Sequence, residues 1–370
     1  MWWLATALAV EPGAAPEIEL LTMEIGEDFL SRGGHATLCV REAGQPVAAG
    51  KCYNYGITDF SDPVKLIGGY VRGVPEFWVG TNGRAAVVSK YGEKYDRTVW
   101  AQSLGLLPDQ ARDLAGRLAA DLAPGRGRYV YHHFENNCTS PLRDHLDAAT
   151  GGALRRGTER PYPKTWREMS FERLADQPVF LAFIELAGRS ADQPLSVWQA
   201  MAVPEVLRDE VASRLGAKAV KLHQREGLAL AVGDPRGGAG VLAAVGLHVG
   251  FVGLGLGALR GWAPRAGLWL MVGWLLALAS VVYGLPWFST LSEVRPNEAV
   301  LYTTPADAAL LVLRGFPLRA WIGFRAAALV GVGLASAVGV LVQPSLGLWP
   351  FVALPFAAGA FVALRLDGAV

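Results

Sequence analysis

The stretch YHHFENNCTSPLRDHLDAATGG, residues 131–152, places a cysteine directly before a predicted helix. Pro141 in the first turn and Gly151 after the last turn are typical of helix boundaries. Cys138 is flanked by small polar residues, whereas a cysteine that only fills a core more often lies among aliphatic side chains. A thiol at a helix N-terminus faces unpaired N–H groups, which favour the thiolate. The stretch predicts a nucleophile at Cys138, and the alternative is a free cysteine near a loop.

The composition of the 370-residue chain changes near Arg236. Charged residues are dense before this point, and beyond it there is no lysine and long apolar runs begin. The net charge of +1 gives no basic excess for nucleic acid. We expect a soluble domain at residues 18–236 and a membrane domain at 237–370, because several apolar runs approach the roughly 20 residues that cross a bilayer. About four spans are predicted, at 237–259, 267–288, 326–342 and 346–364, with an extracytoplasmic loop at 289–325. The third is the weakest because Arg325 lies at its start, which leaves three or five spans as alternatives.

The first 17 residues and the short loops bear on export and orientation. Residues 1–17 contain a short apolar stretch without a preceding basic region, typical either of an export-signal remnant or of an ordinary apolar tail. The connection RGWAPR, residues 260–265, carries two arginines and no acid, which places it in the cytoplasm and the large N-terminal domain outside. Arg314, Arg319 and Arg325 on the predicted outer side weaken this assignment.

The stretch HATLCVREAGQPVAAGKCYNYG, residues 35–56, predicts a β-hairpin. A turn centred near residue 45 places Cys39 opposite Cys52 and His35 diagonal to Asn54 on one face. A slip of one residue would turn every side chain over. The cysteine pair is compatible with a disulfide or with two buried thiols. Further strands are predicted at EFWVG and RAAVVSKYG, residues 76–80 and 84–92.

A cysteine nucleophile needs a base, and sequence spacing alone does not select one of the six histidines. His35 opens a predicted strand behind two glycines, which let other groups approach closely. His132 and His133 precede the cysteine on a predicted strand, where their rings would point to opposite faces and could not share an ion. We therefore expect no metal site. We also expect no nucleotide or other cofactor, because the run GLGLG at 253–257 lies inside an apolar segment.

Five segments together resemble a known family. The stretches LLTMEIGEDFLSRGGHATLCV, CYNYGITDF, YDRTVWAQSLGLLPDQARDL, YVYHHFENNCTSPLRDHLD and LSVWQAMAVPEVLRD follow, in order, the pattern of the periplasmic domain of Lnb-type bacterial lipoprotein N-acyltransferases. The stretch WFSTLSEVRPNEAVLYTTPADAALL is similar to the segment that this family has between membrane spans. This resemblance implies an α+β domain of the circularly permuted papain-like type, shared with cell-wall cysteine peptidases and lecithin:retinol acyltransferase, followed by an α-helical transmembrane bundle.

The resemblance makes Cys138 the nucleophile and His35 the base. Asn54 is the candidate for the third member, because an amide oxygen can accept from the second imidazole N–H without adding charge. Two features depart from the family pattern: His132 and His133 stand before the cysteine motif, and Asn297 is not followed by a second asparagine. The residues expected to contact substrate are Asn137, Thr139, Arg97, Tyr53, Tyr55 and Asn297. Arg72, Arg97 and Arg143 are candidates for contact with a phosphate head group, although each such arginine is more often solvated or structural.

The implied reaction transfers an acyl chain from a membrane phospholipid, through a cysteine thioester, to the α-amino group of a diacylglyceryl-cysteine lipoprotein. The implied location is the bacterial cytoplasmic membrane, with the catalytic domain on the periplasmic side. Backbone N–H groups at the helix start would stabilise the oxyanion. We expect the site to open toward the lipid surface at residues 289–320, with ADAALLVLRGFPL lying along the interface. The alternatives are a membrane-tethered papain-like cysteine peptidase or amidase acting on cell-wall peptide, and a non-catalytic binding module.

Overall fold

The computed structural model describes residues 14–230, 236–343 and 347–368. The predicted export-signal remnant, residues 1–17, lies outside the described residues except for its last four positions. The chain divides into two compact units. The first comprises Met1–Lys164 and Pro194–Leu230, and the second comprises Thr165–Gln193 and Ala231–Val370.

The secondary structure is mixed in the first unit and helical in the second. The strands are β1 (Glu17–Met23), β2 (His35–Arg41), β3 (Lys51–Ile57), β4 (Glu76–Gly83), β5 (Val99–Ser103), β6 (Arg128–Val130) and β7 (Val220–His223). The helices are α1 (Pro63–Arg72), α2 (Arg84–Val88), α3 (Pro108–Ala120), α4 (Ser140–Ala149), α5 (Trp166–Arg173), α6 (Pro178–Glu185), α7 (Val197–Ala200), α8 (Pro204–Leu215), α9 (Arg236–Ala258), α10 (Ala263–Phe288), α11 (Ala309–Val312), α12 (Gly315–Ala337) and α13 (Leu348–Asp367).

The first unit is built on a seven-stranded antiparallel sheet in the order β6-β4-β3-β2-β1-β5-β7. Its larger core joins the sheet to α3, α4 and α8, through residues such as Leu38, Leu114, Leu142 and Leu207. An amphipathic helix buries one apolar stripe in this way, and α3 buries the predicted one at Ala111, Leu114 and Leu118. The expected combination of strands and helices is confirmed, as an antiparallel sheet with helices.

The hairpin of β2 and β3 has the predicted register. Cys39 pairs with Cys52, and a buried disulfide joins them. The ladder between the two strands ends at Leu38 and Tyr53, so the first residues of β2 continue without a partner on that side. This opening begins at His35 and receives the start of α4.

The disulfide leads to a first prediction. The denatured, unreduced protein should contain one free thiol, on Cys138, because Cys39 and Cys52 are bonded to each other. Reduction should lower the free energy of unfolding by about 3 kcal/mol, since a bond that closes a short loop restricts the unfolded chain by that amount. Thiol titration in denaturant measures the first result, and three thiols would contradict the bond.

One predicted strand of the first unit is wrong. Residues 84–92, expected as a strand, form α2 followed by a wider helical turn at Ser89–Lys94. The Arg84 N–H donates to the Gly50 carbonyl at 2.7 Å, which ends β4 and starts the helix. Val87 is buried in a small core with Cys39 and Cys52. The apolar side chains of this segment, whose spacing also suits a strand, form one face of the helix. This face packs on the side of the sheet that carries the disulfide.

The second unit contains four helices long and apolar enough to cross a membrane. The predicted number of spans agrees with this, although the bounds differ: Gly238–Ala258, Ala263–Phe288, Gly315–Ala337 and Leu348–Asp367. Residues 165–193, which were assigned to the soluble domain, form α5 and α6 in this second unit. The helix α6 packs against α9.

The third of these helices begins eleven residues before the predicted span at 326, because its arginine is neutralised. Arg325 Nε lies 3.0 Å from Asp307 Oδ1, both side chains are buried, and the guanidinium also donates to the Tyr302 carbonyl. A buried arginine is tolerated when it is paired in this way. The loop predicted at 289–325 is therefore shorter, and Leu310 and Leu318 are buried in the core of the second unit. Val312 and Phe316 of the same stretch are exposed, and the interfacial platform expected from the sequence stays a prediction.

Candidate active site

Cys138 lies directly before α4, and its half-buried thiol faces the open end of the β2–β3 ladder. The Ala36 N–H of β2 points at the sulfur, as does the hydroxyl of Thr139, whose Oγ1 is 3.7 Å from Sγ. Thr139 is fully buried. Its hydroxyl contacts the sulfur, and the buried side chain has no exposed surface for the predicted contact with substrate.

Asn137 builds the helix start. Its Oδ1 accepts from the N–H groups of Thr139 and Ser140 at 2.8 and 3.2 Å, and its Nδ2 donates to the carbonyls of His133 and Ala202 at 3.0 and 2.9 Å. Both ends of the amide are thus used inside the protein, which replaces the predicted substrate contact with a scaffold role. The oxyanion assignment also changes, because these two N–H groups are occupied. The Cys138 N–H, which faces its own sulfur, remains as a donor.

The protonation state of the thiol differs from the expectation. Burial raises the pKa of the Cys138 thiol, and the donors around the sulfur lower it by less. The helix N-terminus stabilises the thiolate only weakly here, because Asn137 has already satisfied its nearest N–H groups. The resting group is a neutral thiol, so its reaction requires a base.

His35 is the candidate for this base. Its Nε2 lies 3.3 Å from Asn54 Oδ1, as the hairpin register predicted. Burial, with a smaller contribution from the charge of Arg97, lowers the pKa of His35 to about 4. The imidazole is therefore neutral at neutral pH. With Nε2–H directed to Asn54, Nδ1 carries the lone pair that can accept a proton.

The orientation of Asn54 is determined by the sheet. Its Nδ2 donates to the Cys52 carbonyl at 3.4 Å and to Asn82 Oδ1 at 3.1 Å, so its oxygen is directed to His35. The His35 ring also stacks on Tyr91, with ring centroids 5.2 Å apart. Asn82 and Tyr91 were missed in the sequence, since both are distant in the chain from the hairpin and neither lies in a recognisable motif.

Asn54 gives a second prediction, which concerns pH. In the native chain the alkylation rate of Cys138 by iodoacetamide should rise toward alkaline pH without an acidic plateau, because the pKa of the thiol is raised and that of His35 is lowered. In Asn54→Asp a carboxylate would favour the imidazolium, and an imidazolium beside the sulfur favours the thiolate. The variant should then alkylate faster near pH 6 than both the native chain and the control Asn54→Ala.

Mass spectrometry of the alkylated peptide measures these rates, and the disulfide protects the other two cysteines. A plateau that extends down to pH 5 in the native chain would instead show a thiolate–imidazolium pair.

Gly56 brings the backbone of β3 against Cys138. It lies in a bulge between Asn54 and Ile57, with φ +89. A Cβ on this glycine would lie 3.2 Å from the Cβ of Cys138. The position requires glycine both for this backbone conformation and for this contact.

Arg97 is buried near His35 and Cys138. Its guanidinium donates to the carbonyls of Glu24 and Met23 at 2.6 and 3.2 Å. It also lies over the Tyr91 ring, 5.2 Å from the centroid. These contacts anchor Arg97 in the protein, in place of the head-group contact expected from the sequence.

The remaining predicted substrate residues are engaged elsewhere. Tyr53 is buried in the larger core. The Tyr55 hydroxyl donates to Asp121 Oδ2 at 2.6 Å, and His145 Nε2 lies 2.8 Å from the same oxygen. Asn297, in the second unit, donates to the Leu186 carbonyl and accepts from Ala299 and Gln343. The structure brings together Cys138, His35, Asn54, Thr139 and Arg97, and it assigns scaffold contacts to these others.

His132 and His133 also differ from the expectation. The strand β6 ends at Val130, and the two rings stack with centroids 5.1 Å apart and planes 7° apart. They therefore do not point to opposite faces. A reversal at His132, which pairs with Asn136, turns the chain toward the nucleophile.

A family model described as the Lnb N-terminal periplasmic domain matches residues 12–171, a range that includes His35, Asn54 and Cys138. The comparisons with curated proteins and with solved structures give no match. A periplasmic domain family together with four apolar helices fits a membrane protein that has a periplasmic domain. The match to residues 12–171 supports membership of the Lnb family.

Proposed function

We propose that the chain is a thiol-dependent lipoprotein N-acyltransferase. The observation that carries the proposal is the neutral His35 imidazole, oriented by Asn54 and adjacent in the chain to Ala36, whose N–H points at the half-buried Cys138 thiol. The match to the Lnb periplasmic domain and the four candidate spans support a lipid-associated reaction. The Cys39–Cys52 bond is in accord with an oxidising compartment, and we place the catalytic domain on the periplasmic side of the bacterial cytoplasmic membrane.

In the first half-reaction, His35 Nδ1 accepts the thiol proton as the sulfur attacks an ester carbonyl of a phospholipid. The Cys138 N–H and the Ala36 N–H face the reacting sulfur and can donate to the developing oxyanion. The carbon–oxygen bond breaks, and His35 returns the proton to the leaving alkoxide. The products are an acyl thioester on Cys138 and a lysophospholipid.

In the second half-reaction, the α-amino group of a diacylated lipoprotein attacks the thioester. Such an amine titrates near 7.7–8.0, about the range of neutral pH, so a useful fraction is unprotonated. His35 accepts the proton released as the amide forms, and the departing thiolate recovers it. Exchange of an ester for an amide is favourable without a nucleotide, and we propose that no cofactor takes part.

The rival function is a membrane-tethered peptidase or amidase, because a Cys–His–Asn group also cleaves peptide bonds. The thioester would form in both cases, but its acyl group differs. The four candidate membrane spans favour a lipid-linked acceptor over a soluble cell-wall peptide.

The test uses the full chain reconstituted with acyl-labelled phospholipid, followed by a synthetic diacylated lipopeptide. Intact-mass analysis should detect an acyl adduct on Cys138 before the lipopeptide is added, and the label should then appear on its α-amine. A control lipopeptide with an acetylated α-amine should leave the adduct in place. Cleavage of cell-wall peptide without transfer of label would support the peptidase and overturn the proposal.

A further inference from the structure

The outward face of α1 carries an exposed apolar stripe. Val64, Ile67 and Val71 follow one another at spacings of three and four residues, and they are 80%, 62% and 48% exposed. Phe60 before the helix and Val74 after it are also exposed. Single exposed apolar residues are normal in proteins, but a row of this length marks an interaction surface.

Basic side chains flank this stripe. Lys65 and Arg72 are seven residues apart on α1, so they share the side of the helix next to the stripe. They border a cleft of about 380 Å³, where Arg128 lies over the Trp78 ring at 5.3 Å. An apolar helix face with a cationic border is typical of a helix that lies in a bilayer interface.

The cleft also contains acidic groups, and each has a donor within the protein. Asp59 accepts from the Ser61 N–H, Asp62 accepts from the Lys65 N–H, and Glu76 pairs with Arg128. The cleft therefore presents both signs of charge at the edge of the apolar stripe. A zwitterionic phospholipid head group carries the same combination, which favours a lipid over an anionic protein as the occupant.

The inward face of α1 leads toward the nucleophile. Tyr70 packs edge-on against Tyr131, with ring centroids 6.3 Å apart, and Tyr131 stacks on Phe77, with ring centroids 4.3 Å apart. The Tyr131 N–H donates to the Pro75 carbonyl at 2.9 Å, and after Tyr131 the chain reverses between His132 and Asn136 and continues to Cys138. Tyr70, Phe77 and Tyr131 thus connect α1 with the segment that leads to Cys138.

We infer that α1 lies in the bilayer interface, with Val64, Ile67 and Val71 among the acyl chains and with Lys65 and Arg72 at the phosphates. The phospholipid donor then enters the Cys138 site from the α1 side. The identity of this donor rests on the proposed function, whereas the bilayer contact does not require catalysis.

The test places an environment-sensitive fluorophore on Ile67→Cys in full-length Cys138→Ser, where the remaining cysteines form the disulfide. The protein is studied in nanodiscs of phosphatidylethanolamine and phosphatidylglycerol. The matched control is Asp109→Cys on α3, where the native side chain is 97% exposed. The Ile67 label should show blue-shifted emission, quenching by doxyl-labelled lipid and protection from aqueous iodide, and the Asp109 label should show the reverse.

Equal access of iodide to both labels would overturn the inference. Shielding of the Ile67 label that disappears when each nanodisc holds one chain would also overturn it, because a second copy would then be the occupant. A further variant, Val64→Ser with Ile67→Ser, should raise KM for phospholipid and leave alkylation of Cys138 unchanged. If the Ile67 label is quenched by lipid but the native chain transfers no acyl group, the proposed function alone is refuted and the bilayer contact stands.

Discussion

Replacing Cys138 by serine is expected to reduce acyl transfer by about 10³-fold or more, because removal of a nucleophile that acts with its base as a unit costs at least this much. His35→Ala should give a loss of similar size. The neutral thiol of the resting site has little thiolate without its base, since burial raises the pKa of Cys138. The double variant should be scarcely worse than either single one, as is usual for groups that act together.

The measurement is transfer of labelled acyl groups to the lipopeptide by reconstituted full-length protein. His223→Ala is the matched control, because this histidine lies in β7 at an edge of the sheet and pairs with Asp96. Retention of the thermal unfolding midpoint would show that the Cys138 and His35 variants fold. Substantial transfer by either of them would refute the assigned pair.

Gly56→Ala is expected to lower acyl transfer by about 10²-fold, because a displacement of about 1 Å at a reacting group has this effect. The added Cβ would lie 3.2 Å from the Cβ of Cys138, closer than most such contacts. It would also force an L side chain into a backbone conformation with φ +89, which costs about 1–3 kcal/mol.

Gly105→Ala separates these two effects. Gly105 also has a positive φ, of +55, but a Cβ there would meet nothing within 4 Å. This control should lose a comparable amount of stability and retain acyl transfer. If the two variants were equally active, the contact between Gly56 and Cys138 would have no part in positioning the nucleophile.

The local features of the candidate site could be predicted from the sequence. The alternation of apolar and polar residues, together with the turn residues, specifies the hairpin. Cys39 therefore pairs with Cys52 and His35 contacts Asn54, as expected. Proline in the first turn placed the helix after Cys138. Continuous apolar runs indicated four candidate spans, because length and hydropathy alone are sufficient for that prediction.

Other features depended on groups that only the folded chain brings together. The thiol is neutral because burial outweighs the helix start, and Asn137 satisfies the N–H groups that were expected to hold an oxyanion. Asn82 directs the Asn54 amide from a different strand of the sheet. These contacts produce no periodic pattern in the sequence. The rest of the fold brings the partners together, and the spacing of the residues along the chain does not.

The sequence by itself determined the pairing of the hairpin, the helix that begins after Cys138 and the presence of four apolar helices, since each depends on neighbouring residues and a fixed repeat. The tertiary structure decided the protonation state of Cys138 and His35, the scaffold role of Asn137 and the early start of α12 at Gly315. Desolvation and ion pairing produce these results. Both depend on partners from distant segments, as when Asp307 neutralises Arg325 and lets an apolar helix extend past a buried charge.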